Sequence, residues 1–192
     1  ARERFRRSGM RTAAVEATTS ERSASGTHGG LLRASKSHLN VQPLEAARGF
    51  PDELCRSDRY LPSIWTMKHI KVLIVFVYLE TGIGAVGSNA NTMRDIGALV
   101  RCVGLHYVLM GDWNFTPSEM LESRWLPTIG GSLVLPSNSS WTCKSGSKRL
   151  IDYAVVSAEL ESLVKAEAVL QVPFRPHLGL HLQLMANPGQ SY

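Results

Sequence analysis

Ten consecutive residues, Ile70-Lys71-Val72-Leu73-Ile74-Val75-Phe76-Val77-Tyr78-Leu79, limit the fold more than any other stretch. They are mostly β-branched and aromatic, with a single lysine, which is the signature of a strand covered on both faces. Such a strand demands a layer on either side, so the chain has to build a layered sheet protein. The run is far too short to span a bilayer. The amino-terminal basic residues Arg2, Arg4, Arg6, Arg7 and Arg11 have no apolar segment behind them, so no signal peptide is spelled and no membrane partner is expected.

The rest of the chain supplies the layers. Asn91 to Val103 places Met93, Ile96, Val100 and Val103 at helical spacing, with Arg94 and Asp95 outward and Gly104 as a stop. Tyr107 to Met110 reads as a short buried strand, and Pro117 to Arg124 as a short helix. Strands are predicted at Leu31 to Ser35, Ser140 to Cys143, Leu150 to Ser157, Lys165 to Val172 and His177 to Met185. In the last, Leu178, Leu180, Leu182 and Leu184 alternate with Gly179, His181 and Gln183. Residues 36–63 read as a long irregular connection with a helical turn at Leu44 to Arg48. Consecutive strands in the carboxyl-terminal half imply antiparallel pairing, so the class is α/β of the mixed or α+β kind. At 192 residues and 44% hydrophobic content, one domain is the default. The expected organisation is a basic, disordered arm over 1–27, a domain over 28–187 and a tail over 188–192.

Three polar sites fall at comparable places on three of these strands. Asp112 and Asn114 follow Gly111 two apart, so an extended backbone would send both side chains to one face at a strand's carboxyl end. Asp152 lies inside the apolar strand Leu150 to Val156, where a carboxylate is costly unless something pairs with it. His177 opens the final strand and is the natural partner, since a carboxylate fixes an imidazole's tautomer and stabilises its charged form. The net charge of +5 is concentrated in the arm, which favours phosphate contacts and nucleic acid as a partner. Cys55, Cys102 and Cys143 are widely spaced and odd in number. That argues against a disulfide framework or a zinc site and for a reducing, intracellular compartment, nucleus or cytoplasm.

Gly-Asp-Trp-Asn after an apolar strand, a threonine strand, Ile-Asp-Tyr-x-x-x-Ser, and a histidine entering the last strand together resemble the endonuclease/exonuclease/phosphatase superfamily. That superfamily of metal-dependent phosphodiesterases includes apurinic endonucleases, DNase I-like nucleases and retrotransposon endonucleases. The resemblance covers Gly29 to Leu184 and is strongest from Ile70 onward. It implies a four-layer sandwich of two packed mixed β-sheets with outer helices, its amino-terminal part incomplete. It also implies hydrolysis of a phosphodiester with Mg²⁺ or Mn²⁺. By the resemblance, Asp112 orients or deprotonates the attacking water and Asn114 hydrogen-bonds the scissile phosphate. Asp152 pairs with the catalytic histidine, His177. Tyr78 looks like the tyrosine that reaches the phosphate, the alternative being an ordinary aromatic strand residue.

The departures point to weak or absent turnover. Pro176 stands where the family has an aspartate before the histidine, and Gly179 replaces the proline two residues after it. No matching asparagine or Gln-Glu strand precedes Gly29. Glu3, Glu16 and Glu21 lie in unpatterned sequence, so no metal ligand is assigned. The first residue is Ala, which raises the expectation of a fragment or processed product, and a non-catalytic relic of the fold that still binds nucleic acid is the second reading. A third comes from Gly82, Gly84 and Gly87, which spell Gly-x-Gly-x-x-Gly between a strand and a helix, the context of a dinucleotide-binding domain. Against it, Ser88-Asn89-Ala90-Asn91 follows where an apolar first helical turn should pack.

Overall fold

The computed structural model describes residues 2–19, 27–44, 49–67, 70–173 and 175–185. In chain order they form α1 (Arg2–Arg7), β1 (Met10–Val15), β2 (Thr18–Thr19), β3 (Thr27–His28), β4 (Leu31–Lys36), β5 (Asn40–Pro43) and α2 (Asp52–Cys55). A hairpin of β6 (Tyr60–Met67) and β7 (Ile70–Tyr78) follows, then α3 (Gly87–Val103), β8 (His106–Asp112), α4 (Pro117–Glu122) and α5 (Trp125–Ile129). The chain continues through β9 (Gly131–Val134), β10 (Asp152–Ser157), a 3-10 helix (Ala158–Leu163), β11 (Val164–Val169) and β12 (Gly179–Leu184).

The apolar run becomes β7, near the middle of a six-stranded sheet ordered β5-β6-β7-β8-β10-β9. β7 and β8 are parallel, joined by the crossover helix α3, and every other neighbouring pair in this sheet is antiparallel. Both faces of β7 are covered, as its composition requires. On one side Leu73, Val75 and Val77 pack with Met93, Ile96 and Leu99 of α3, with Met120 of α4 and with Trp125 and Leu126 of α5. On the other, Val72, Val108, Ala154 and Val156 pack against Val164 and Ala166 of β11 and the leucines of β12. The ladder β1–β4 lies on that second side too: Gly29, just before β4, faces the Tyr78 ring, and β4 contacts β6 and β7. The result is an α/β sandwich in which a helical layer, the mixed sheet and a second layer of strands are stacked. Among the described residues the second layer consists of two antiparallel ladders, β1–β4 and β11–β12.

Several local expectations need correcting, each for a physical reason. Met10–Val15, expected in a structureless arm, forms β1 and pairs with β4. Five of its six side chains are half-buried, so no period-two stripe marks it. Residues 36–63 hold β5, α2 and the start of β6. Ser63, which looked like loop, is buried because its hydroxyl donates to the Ile74 carbonyl and accepts from the Trp65 indole. α3 begins at Gly87, a turn before the apolar periodicity. Asn89 is buried in that first turn because its amide bonds the Glu80 N–H, the Glu80 carbonyl and the Gly84 carbonyl. Ser140–Cys143 is no strand; Cys143 alone makes isolated bridges, to Arg149 and to His177. The Gly82–Gly87 loop does join β7 to α3, yet the antiparallel remainder of the sheet is not the parallel array a dinucleotide-binding domain needs. The turn expected over 45–48, arm residues 1 and 20–26, and the tail 188–192 lie outside the described residues.

Among the described residues, no helix is long and apolar enough to cross a membrane. Cys55, Cys102 and Cys143 are all free thiols.

Candidate active site

Sheet register builds the site. β7 ends on Tyr78, β8 ends on Asp112 and β10 begins on Asp152; Tyr78 pairs with Asp112, and Asp112 with Asp152. Directly opposed residues project from the same face. The three side chains therefore leave at one end of the sheet, on the side covered by the second strand layer.

Gly111 is what lets β8 lie so close to β7 there. Its φ of 151° suits glycine alone, and an added Cβ would enter the shell of the Val77 carbonyl. After Asp112 the chain divides its side chains between layers. Trp113 turns into the helical side, fully buried, stacked on Tyr153 at 5.6 Å, with its indole N–H donating to the Tyr153 carbonyl. Asn114 adopts φ 57° and folds back, its N–H donating to Asp112 Oδ1 at 3.0 Å. Asp112 and Asn114 thus adjoin through a turn, and not through the alternation of an extended strand. The Asn114 side chain is fixed at both ends, donating to the Leu79 carbonyl at 2.7 Å and accepting from the Thr81 hydroxyl at 3.0 Å. An amide has two N–H donors, and the Asn114 side chain also bonds the Asp112 carboxyl.

His177 arrives from the segment before β12. Its Nδ1 stands 3.0 Å from Asp152 Oδ2 and 3.3 Å from Oδ1, while Nε2 faces Asp112 Oδ2 at 3.9 Å. The imidazole therefore bridges two carboxylates. The Asp152 hydrogen bond is the main reason that His177 holds its proton above the usual imidazole range, and burial opposes it. Asp112 is displaced further: burial, then the neighbouring Asp152 charge, push its carboxyl from 3.8 to about 7, against the pull of His177 and Asn114. Tyr78 is half-buried, and burial followed by the Asp112 charge raises its phenol. An acid poised near neutrality beside a cation-holding histidine and a fixed amide donor is a set that can accept a proton from water while gripping an anion.

All five side chains singled out by sequence, Tyr78, Asp112, Asn114, Asp152 and His177, thus lie about one rim. Sequence reasoning missed the residues that brace them. Thr81 bonds both Asn114 and Tyr78. Thr142 is fully buried, and its hydroxyl accepts from the N–H groups of Ile151 at 3.0 Å and Asp152 at 2.9 Å. Its carbonyl accepts from Leu178 N–H at 2.7 Å, so one residue ties the Asp152 strand to the His177 segment. The sequence marked Thr142 only as the threonine of an expected strand, and no periodicity discloses that its hydroxyl accepts from backbone groups nine and ten residues further on. Thr142→Val keeps the shape but leaves two buried donors unsatisfied, and is expected to cost about 2–4 kcal/mol. Urea denaturation with Thr142→Ser as the rescue checks this, and a valine variant as stable as the parent would refute it.

Glu16 lies outside the group of side chains close enough to hold a cation. It directly follows β1 and borders a hollow of about 550 Å³ with Gly29 and Gly30, and Gly29 lies against the Tyr78 ring. Glu21 lies outside the described residues. Ligand atoms of Asp112, Asp152 and His177 lie within 4.8 Å of one another, close enough to hold a cation. Two crowded, partly buried carboxylates, one with its pKa driven up to about 7, are the charge arrangement that a divalent cation relieves.

No protein-family model matches the sequence, and no curated protein matches it. Solved structures do. The endonuclease domain of TRAS1, a telomere-specific non-LTR retrotransposon, superposes with a TM-score of 0.68 at 13% identity, over 90% of this chain and 78% of that one. The 3'-5' exonuclease NExo from Neisseria meningitidis matches with a TM-score of 0.57 at 18% identity, over 94% and 82%. The AP endonuclease LMAP from Leishmania major gives 0.59 at 11% identity, over 93% and 73%. At such identities the likeness is one of fold, and the fold is that of the endonuclease/exonuclease/phosphatase, DNase I-like proteins.

Proposed function

We propose that this chain, which carries the endonuclease/exonuclease/phosphatase fold, is a phosphodiester hydrolase that acts on nucleic acid with the help of Mg²⁺ or Mn²⁺. The observation that carries the reading is the His177 imidazole set between Asp152 and Asp112, with the Asn114 amide fixed alongside. In this reading Asp112 takes the proton of the attacking water. Asn114 and Tyr78 donate to the phosphate oxygens on which charge develops, and Asp152 holds the His177 tautomer and its charge. Asp112 and Asp152 are the side chains that would hold the cation. When bound, it would stabilise negative charge on the phosphoryl oxygens. The fold neighbours TRAS1 and NExo are an endonuclease domain and an exonuclease, which supports a polynucleotide as the substrate and a retrotransposon-type endonuclease as the lineage.

Turnover is expected to be slow. A hard divalent cation takes six or more oxygen ligands, whereas the cluster offers two carboxylates and an imidazole already engaged by Asp152. A supercoiled plasmid and an abasic duplex, each incubated with Mg²⁺ or Mn²⁺, provide the assay. The expected result is EDTA-sensitive nicking below the roughly 1–10³ s⁻¹ of ordinary enzymes. Rates inside that range would overturn the incomplete-ligand argument. Binding with no nicking under either metal would reject hydrolysis and leave a nucleic-acid-binding relic, the second reading that the sparse ligand set favours.

A further inference from the structure

A pocket of about 490 Å³ opens directly off His177 and is not used by the chemistry described above. Its walls are two segments, one carrying Trp141 and Lys144, the other Arg175 and Leu178. They are zipped together backbone to backbone: Leu178 N–H donates to the Thr142 carbonyl at 2.7 Å, Lys144 N–H donates to the Pro176 carbonyl at 3.1 Å, and Cys143 bridges His177. The pocket and the catalytic imidazole are therefore one rigid unit, and whatever fills the first is positioned against the second.

The lining has a definite chemistry. Lys144 and Arg175 are exposed cations, and no acid lines the pocket among the described residues. Trp141 is half-buried and offers an indole to the pocket, while Lys148 Nζ, which does not line the pocket, stands over the same ring 5.7 Å from its centroid. Val172 and Leu178 complete an apolar floor. An inositol phosphate would use the cations and waste the indole, and an acyl chain would do the reverse. A nucleotide uses both, its base on the aromatic face and its phosphate on the basic rim. The volume falls within the usual range of small-ligand sites, and it admits a base only if that base is out of its duplex.

We propose that this pocket is a nucleotide subsite which takes an unpaired nucleotide next to the scissile phosphate, with Trp141 as the stacking platform and Lys144 and Arg175 as phosphate contacts. The proposal rests on the phosphodiesterase reading of the His177 centre and adds to it a preference for single-stranded or locally unpaired nucleic acid.

The test measures binding of the full chain to a fluorescein-labelled 12-nucleotide oligo-dT by anisotropy in EDTA, where no turnover intervenes. Trp141→Ala should weaken binding about 5- to 100-fold and Trp141→Phe much less. Lys144→Ala and Arg175→Ala should each lower the slope of log Kd against log salt by about 0.7, the single-strand value for one phosphate contact. Far-UV circular dichroism and thermal midpoints show whether each variant is folded. Unchanged affinity in a folded Trp141→Ala, or tighter binding of a fully paired duplex of equal length, would overturn the proposal. So would inositol hexakisphosphate binding as tightly as the oligonucleotide and indifferently to Trp141. Trp141-dependent binding by a chain that hydrolyses nothing would sink the hydrolase reading and keep the subsite, whereas hydrolysis with Trp141-independent binding would do the opposite.

Discussion

Gly111→Ala is expected to abolish cooperative folding or to cost more than about 3 kcal/mol, a large share of the roughly 5–15 kcal/mol that holds a domain together. The position combines two demands. Its φ of 151° is one that L-residues rarely adopt, and a Cβ there would overlap the Val77 carbonyl oxygen and come within 2.9 Å and 3.0 Å of the Val77 carbonyl carbon and amide nitrogen. These are backbone atoms of β7, so no side-chain rotation relieves the clash. Strand β8 would have to move away from β7 beside the point where Tyr78 pairs with Asp112, at the carboxyl end of the one parallel pair among the described strands of the six-stranded sheet. Gly130→Ala is the control: its φ of 64° is also positive, but nothing lies within 4 Å of the added carbon. It should cost only about 1–2 kcal/mol. Urea unfolding followed by circular dichroism compares the two. If Gly111→Ala unfolds at the same denaturant concentration as the parent, the tight approach of the two strands is wrong.

The reason this glycine matters also explains what could be read from sequence. The strand that fixes the fold, β7, was legible because burial on both faces leaves almost nothing but β-branched and aromatic residues. The site was legible for a related reason. Asp112, Asp152 and His177 each interrupt or terminate an apolar strand, and a titratable group in such a place has to be paired with something. What sequence did not disclose is how they are paired. Register is a property of two strands together, so the alignment of Tyr78, Asp112 and Asp152 cannot be seen in any one of them. Asn114 was placed beside Asp112 by an alternation argument that its left-handed backbone does not obey; the proximity comes from the turn. Thr142, Asn89 and Ser63 are buried polar residues satisfied by backbone partners distant in sequence, and patterning treats such residues as surface. β1 was lost because a half-buried ladder in the second layer has no strong alternation to give it away.

Asp112→Asn should yield a protein that is more stable above neutral pH and at least about 10²-fold less active in phosphodiester hydrolysis. The stability half follows from linkage. The carboxyl titrates near 3.8 when unfolded and at about 7 when folded, because it is buried beside Asp152. Between those values the folded state binds a proton that the unfolded state has released, so stability falls as pH rises. The contribution is fully present below pH 4 and is lost through about pH 7. At about 1.4 kcal/mol per pH unit, three units set an upper bound of about 4 kcal/mol on that loss. The carboxyl is 16% exposed, and its attraction to His177 is already counted in its pKa, so a gain of about 2 kcal/mol is the working expectation. Asparagine carries no charge to lose; its advantage should be greatest near pH 8 in metal-free buffer and vanish near pH 4. His177→Ala should act in the opposite direction, since it removes the cation that holds the Asp112 carboxyl down. Thermal midpoints across pH 4–8, in EDTA, separate the two variants. An Asp112→Asn protein whose midpoint tracks the parent at every pH would show that Asp112 is an ordinary, solvated carboxylate. The crowding of charge that makes it suitable as a base would then be absent, and its proposed role in catalysis would go with it.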